Sequence, residues 1–494
     1  AEVSVEENRN DDVKRVEVTA DTAGVSETLI DPATGKRIWT VGTLRYTAAG
    51  LVALFGWLLW GDFCFSFFES IFGRFMPLYL NDLKASNLFI GAVSGTVAGF
   101  CNILLLPHIS MASDRHRGRW GRRKPFLAWS TLGTVSSLIV IGWAPEIAAW
   151  LQPRVGPLNG VQLVGIILPL LFVFTISFHF FNMVLVNAFR FLLKDVVPND
   201  VMPRMLSYFT VAGTAGGMFF NWFLFPHVLA ERKLICTGVS LAYLVFFGLM
   251  CWRVKEGQYP PPPPKHKGYF STLLVYFREC LSIRIYRNIV IITGLMTLAG
   301  STGSFALLYV TNTLGISTAV QGHFTVLTQF FTMLVMFPMA YLCRKLYSPR
   351  LALISLSMLV VINVAGYFYL RDQTSWMAFA IIGIIPGAAW GLSLGTLQME
   401  LFPASKFGQF FSSTNAIGFG CGAIGSLMVG RFFDMVHSNY RLYFWILVLC
   451  YAASLIPLLM IYRDWKRYGG PHHYVAPLPV TKAELAEKAA AEAA

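Results

Sequence analysis

Between residues 50 and 462 the chain repeats one feature twelve times: an apolar run of about 18 to 25 residues, long enough to cross roughly 30 Å of hydrocarbon as a helix. The runs fall at 50–72, 88–111, 126–144, 161–190, 205–228, 234–252, 287–311, 321–342, 351–370, 376–400, 410–430 and 441–462. Barrel strands would be short and would alternate apolar with polar residues, so the pattern predicts an all-α membrane protein. With 55% of its residues hydrophobic, 13% charged and a mean hydropathy of +0.57, the chain carries more apolar surface than a soluble fold can hide. The first run lies too far in, and is too long, for a cleaved signal peptide. The eight cysteines form no CxxC pair and sit mostly in or beside apolar runs, as small buried side chains do, and no disulfide or metal framework follows from them.

Placement of the positive charge orients the spans. If both termini lie inside, the short internal connections hold 19 Lys/Arg and the external ones 7, six of the former in the segment 113–125 alone. The bias of basic residues toward the inner side predicts cytoplasmic termini in a multi-pass cell (inner) membrane protein. The excess of +13 is thereby explained by topology, which leaves no case for nucleic-acid binding. Residues 1–46 mix acids and bases with few large apolar groups and are expected to form a mostly disordered arm, with Trp39 and Tyr46 as interfacial anchors. The spans then divide into 47–252 and 287–462, joined by a linker at 253–286 and followed by a tail at 463–494. The linker holds the extended run YPPPPPK (259–265) and the amphipathic YFSTLLVYFREC, expected on the inner surface.

A shift of 205 residues lays LLKDVVPNDVMPRMLSYFTVAGTAGG (192–217) on LQMELFPASKFGQFFSSTNAIGFGCG (397–422) without a gap. Leu192/Leu397, Pro198/Pro403, Ser207/Ser412, Gly213/Gly418 and Gly217/Gly422 coincide, and Asp195 meets Glu400. Such a match predicts two parallel, pseudo-symmetric six-helix bundles. In both copies a GxxxG opens the next helix and permits close backbone approach. Gly383, Gly387, Gly391 and Gly395 recur every fourth residue in the tenth run, giving it one smooth side for either a sliding seam or tight static packing.

These residues resemble the major facilitator superfamily, and within it the glycoside-pentoside-hexuronide:cation symporters and the related sucrose–proton symporters. SDRHRGRWGRRKPF (113–126) is similar to the sucrose-symporter loop that ends in Gly-Arg-Arg-Arg-Pro-Phe, and its RWGRRKP to the Arg-Trp-Gly-Lys-x-Lys-Pro of melibiose-type permeases. WGDF (60–63) resembles the latter's Gly-Lys-Asp-Phe, and NAFRFLLKDVVP (187–198) the former's Gly-Pro-x-Arg-Ala-Leu-x-x-Asp. In that architecture Asp114 is placed to face a helix N-terminus of the other half, while Arg119, Arg122 and Arg123 are placed to bridge to Asp195 and Glu400 when the cytoplasmic side is shut. The resemblance also implies that His179 stands where the sucrose symporters carry a proton-accepting aspartate and that Asn182 matches their asparagine. Asn102 and Leu106 stand where melibiose-type permeases carry sodium-binding aspartates, which argues against a sodium site of that kind.

Ionisable groups deep in a span are costly and therefore functional candidates. Asp62, Ser66 and Glu69 share one face of the first helix, the two carboxylates about 10 Å apart along its axis. His179, Asn182 and Arg190 share one stripe of the fourth. The two stripes suit the lining of an aqueous cavity, with Asp62, Glu69, His179 and Arg190 as the proton-coupling set, because a carboxyl in apolar surroundings keeps its proton more readily and imidazole titrates near neutrality. A static network tying the two helices is the alternative. A solute rich in hydroxyls needs amide and hydroxyl partners and an aromatic face. The candidates are Asn182, Asn187, Asn221, Trp222, Ser304, Asn312, Gln329, Trp390, Gln398 and Asn415.

The expected function is proton-coupled symport of a sugar or glycoside by a monomer working through alternating access. Its rivals are a proton-coupled exporter of an amphipathic compound and a non-transporting membrane scaffold or sensor. No HExxH, GxSxG, phosphate loop or His/Cys cluster supports an enzyme, a metal or a cofactor.

Overall fold

The structure, a computed structural model, describes residues 26–30, 37–154, 162–198, 200–257, 280–403 and 407–477. Helix α1 (Ala48–Asp82) opens on Thr47, whose hydroxyl accepts the Gly50 N–H at 3.2 Å. It overruns its expected end at residue 72, because Phe75, Met76, Leu78, Tyr79 and Leu80 are all buried and Pro77 removes only one backbone donor. Helix α2 (Asn87–Gly91) passes through a π turn (Ala92–Thr96) into α3 (Val97–Arg115). Then follow α4 (Lys124–Gly142), the short α5 (Ala144–Leu151), α6 (Leu163–Val196), α7 (Met202–Phe219) with a second π turn (Phe220–Leu224), and α8 (Arg232–Arg253).

The second half comprises α9 (Arg284–Gly300), α10 (Gly303–Leu308) with a third π turn (Tyr309–Thr313), α11 (Thr318–Leu346) and α12 (Ser348–Tyr369). It continues with α13 (Gln373–Leu401), α14 (Phe407–Met435), α15 (Tyr443–Arg467) and the single turn α16 (Gly470–His473). Among the described residues eleven helical stretches are long and apolar enough to cross a membrane. The fifth of the twelve expected runs (205–228), now α7 and its π turn, does not qualify by composition, because small and polar residues such as Thr210, Gly213, Thr214, Gly216 and Asn221 take the place of large apolar ones.

One part of the arm departs from expectation. Residues 26–46 contain an antiparallel sheet of β1 (Ser26–Ile30), β2 (Arg37–Val41) and β3 (Leu44–Tyr46), with Trp39 opposite Thr28 on one side and Tyr46 on the other. The β2–β3 turn has two residues, and Gly42 supplies the positive φ of 55° that such a turn needs. β-branched and aromatic residues at alternate positions compensate for a low overall hydrophobicity. The polyproline run, the amphipathic segment up to residue 279 and the tail beyond 477 lie outside the described residues.

Each half packs on aromatic or long aliphatic side chains. In the first, Phe68 stacks on Tyr243 at 4.5 Å and Phe72 on Phe178 at 4.3 Å, joining α1, α6 and α8. In the second, Tyr286, Phe402 and Phe410 form the center of a cluster with Ile289, Leu397 and Leu458. The 205-residue repeat is structural: α7 lies on α1 as α14 lies on α9. An added Cβ at Gly216 would stand 2.4 Å from the Phe63 carbonyl oxygen, and one at Gly422 would stand 2.8 Å from the Thr297 methyl.

Between the halves, α2, its π turn and α3 cross α14, the π turn after α7 meets α11, and α1 meets α10. These contacts gather at one end of the molecule, away from the loops holding Arg115–Lys124, Pro198 and Val254. That loop-bearing side is the basic face. An added Cβ at Gly420 would touch Ile103 at 3.5 Å, a further contact between α14 and α3. The contacts that join the halves therefore lie toward the face opposite the basic one.

Candidate functional site

Three of the expected coupling residues converge between α1 and α6. The Asn182 amide donates to Glu69 Oε1 at 3.4 Å, and Glu69 is open to water although it lies deep within the molecule. Asp62 is half-buried on the same α1 face, beside Ser66 and against α7, where Gly213 leaves room: a Cβ there would stand 2.8 Å from Asp62 Oδ2. Arg190 is exposed and lies within electrostatic range of both carboxylates, making no ion pair with either. Two acids thus share one cation across a water-accessible gap. His179 does not join them. Its ring lies 4.7 Å from that of Phe72, edge to face, and Nε2 sits 3.3 Å from the Val93 carbonyl in the π turn after α2. It therefore ties α6 to the element that crosses into the second half.

The candidates for solute contact separate. Asn221 and Asn415 donate to their own helices, at Gly217 and Phe411, and Asn187 does the same at Met183, so each spends one of its two amide hydrogens locally. Asn182, Asn221 and Gln329 each keep a buried amide oxygen without a partner. Those acceptors would be costly unless water or a solute hydroxyl reaches them. Ser304 is half-buried on α10. Asn312 lies not at mid-span but at the closed end, donating to Asn81 Oδ1 across the halves at 3.1 Å. Trp390 packs among Ile289, Leu394 and Leu458 inside the second bundle, so it is core rather than a stacking platform. Gln398 bonds Thr293 at 3.3 Å, linking α13 to α9, and the Trp222 ring lies 4.4 Å from that of His323, tilted by 40°, between the halves.

At the basic face Arg122 Nη2 donates to both oxygens of Asp195 at 2.7 Å and Arg123 Nε to Oδ2 at 3.0 Å. Arg123 also reaches the Ser113 hydroxyl at 2.6 Å and lies over the Phe191 ring. Glu256, unexpected from sequence, accepts the backbone N–H groups of Arg122, Arg123 and Lys124 at 2.6 to 3.1 Å and so caps α4. The expected bridge to Glu400 is not made here; Ser348 donates its hydroxyl to Glu400 within the second half. Arg119 is exposed, and the side chain of Asp114 lies outside the described residues.

The opposite face holds a seal that the sequence did not announce. Asp434 at the end of α14 accepts the N–H groups of Asn87 and Leu88 at 2.8 and 2.9 Å, capping α2 from the other half. The Asn87 side chain bonds Ser438 and Tyr440, each at 2.8 Å. Arg74, also missed, sits in the part of α1 beyond residue 72. It donates to Thr325 of α11 at 3.4 Å and lies 5.2 Å over the Phe225 ring, with no carboxylate paired to it among the described residues.

A family described as MFS/sugar transport protein matches residues 58–405, most of the chain. The chain belongs to that family of the major facilitator superfamily. Its fold and family are those of a transporter, not of an enzyme, and it is a multi-pass membrane protein. Solute carrier family 45 member 3 of Mus musculus is 25% identical over 240 residues, 46% of this chain and 41% of the relative. The general alpha-glucoside permease of Schizosaccharomyces pombe is 25% identical over 180 residues, 34% of this chain and 31% of the permease. The chain thus spans less than half the length of these curated relatives. The nucleoside transporter NupG superposes with a TM-score of 0.62 at 12% identity, covering 83% of this chain and 100% of NupG, which establishes a shared fold.

Proposed function

We propose that the chain is a secondary transporter that moves a sugar or glycoside together with protons by alternating access, and that the structure is its inward-open state. The reading rests on one observation: Asp62 and Glu69 share Arg190 at a water-accessible position between α1 and α6, with the Asn182 amide on Glu69. Two carboxylates facing one guanidinium balance their charge when one of them holds a proton, which is the property a coupling site needs. The unpartnered amide oxygens of Asn182 and Gln329 offer acceptors to hydroxyl groups. A relative named for alpha-glucosides supports a glycoside as cargo. The basic bias supports assigning the basic face, and both termini, to the cytoplasm of a cell membrane. His179, packed on Phe72 and bonded to Val93, suits transmission between halves better than proton carriage.

The test is uptake of labelled mono- and disaccharides into proteoliposomes under an imposed pH gradient. Wild type accumulates at least one sugar; Asp62→Asn and Glu69→Gln abolish accumulation above equilibrium yet retain exchange of sugar across the membrane. Accumulation that survives both substitutions overturns the coupling assignment. Substrate-driven efflux of an amphipathic compound without sugar uptake overturns the direction and the cargo.

A further inference from the structure

One cavity stands apart from the α1–α6 site. It lies at the basic face between α4 and α8, with a volume of about 970 Å³, and is lined by two chemically different walls. One wall is cationic: Arg117, Arg119, Lys124 and Lys255, against the single acid Glu256. Both oxygens of Glu256 already accept backbone N–H groups from 122–124. The other wall is apolar and belongs to spans: Ala128 and Leu132 of α4 and Gly248 and Trp252 of α8. Leu132 is 56% and Trp252 71% exposed, so this wall faces the surroundings of the protein rather than its core. Ala128 and Gly248 are small, which makes the apolar wall a groove. The cations stand at the ends of two spans, where hydrocarbon gives way to headgroups, and Trp252 has the position of an interfacial anchor.

We infer that this cavity binds an anionic phospholipid, its phosphate on Arg119, Lys124 and Lys255 and its acyl chain along Leu132, Gly248 and Trp252. Charge complementarity selects an anionic headgroup over a zwitterionic one, and basic pockets between spans have that preference. A free phosphate would leave the apolar wall bare. The site adjoins the loop whose Arg122 and Arg123 hold Asp195, since Glu256 lines the cavity and fixes the backbone of both arginines. An occupied site therefore bears on the gate cluster without touching the solute path.

Native mass spectrometry of the full chain, delipidated in detergent and titrated with phosphatidylglycerol or phosphatidylcholine, tests this. Wild type retains one phosphatidylglycerol at least about fivefold better than phosphatidylcholine. Arg119→Glu with Lys255→Glu removes the preference, whereas Arg344→Glu with Lys345→Glu, on another loop of the same face, keeps it. Equal retention of the two lipids, survival of the preference in the first variant, or its loss in the second overturns the proposal. Inorganic phosphate at millimolar concentration leaves lipid retention unchanged; full competition by it points to a free anion and also overturns the proposal. A photoreactive side chain at Leu132 captures lipid, and capture of a peptide from residues 258–279 instead makes the linker the occupant and sinks the lipid. Variants count only if they elute and unfold as wild type does.

Discussion

Arg74 is the residue whose position asks most for an explanation. A guanidinium inside a span is costly, and its described contacts, a long bond to Thr325 and the Phe225 ring, leave most of its donors unused by carboxylates. Those donors are left for water or a solute to satisfy. A charge-assisted hydrogen bond is worth about 2 kcal/mol, roughly thirtyfold in an equilibrium constant. Arg74→Gln is expected to weaken solute affinity by about that factor in a binding titration, and Arg74→Lys by nearly as much, because an ammonium lacks the planar fork. Unaltered affinity in both would reduce Arg74 to a strut between α1 and α11. The sequence made the Asp62, Glu69, Asn182 and Arg190 stripes legible, because helical periodicity alone fixes which side chains share a face. It hid Arg74, because Gly73 and a charge end an apolar run on paper although the buried residues that follow continue the helix. That His179 lies apart from Asp62, Glu69 and Arg190 was hidden for a different reason: its partner is a backbone carbonyl in a π turn, and no side-chain pattern marks that.

At the scale of the helix, small residues do two separate jobs that look alike in the sequence. Gly216 lies against the backbone of α1, and a Cβ there would stand 2.4 Å from Phe63 O and 3.0 Å from Phe67 N. Neither atom can move alone, so overpacking costs about 1 to 3 kcal/mol. Gly383, Gly387, Gly391 and Gly395 share the four-residue spacing, yet a Cβ on any of them meets nothing within 4 Å. That stripe is open in this state and is not a packed seam. Gly216→Ala is therefore expected to lower the thermal unfolding midpoint in detergent by several degrees, while Gly387→Ala leaves it unchanged or raises it, alanine being the better helix former by about 1 kcal/mol. Equal losses would mean that the stripe is packed after all. Element boundaries follow the same logic, in that the ends of α1 and the sheet at 26–46 are set by burial and pairing partners that arrive from far along the chain.

For the whole molecule, the 205-residue repeat already implied two bundles, but which face they close was unreadable, because closure depends on pairs from opposite halves with no sequence spacing in common. Asp434 and Asn87 are such a pair. The Asp434 carboxylate holds two N–H groups at the positive end of α2, so an amide in its place loses the charge that the helix terminus favours and one of the two acceptors. Asp434→Asn should weaken the joined face by about 1 to 3 kcal/mol, a five- to 150-fold change in a two-state ratio. On the basic face Glu400, held by Ser348, and the Arg122/Arg123 pair, held by Asp195, belong to different halves, and on the proposed alternating-access cycle they are expected to meet when that face shuts. Spin labels at Asp82→Cys and Thr313→Cys, in a background without the eight native cysteines, report the opposite face. Wild type gives one short distance; Asp434→Asn adds a longer population, and combining it with Glu400→Gln returns the distribution toward wild type, since that substitution weakens the competing state. A distribution that ignores Asp434→Asn would show that the close crossing of α2 and α14, where a Cβ at Gly430 would stand 2.4 Å from the Asn87 carbonyl oxygen, rather than the carboxylate, holds the seal. One that responds to Asp434→Asn but not to Glu400→Gln would show that the basic face closes without an ion pair between the halves.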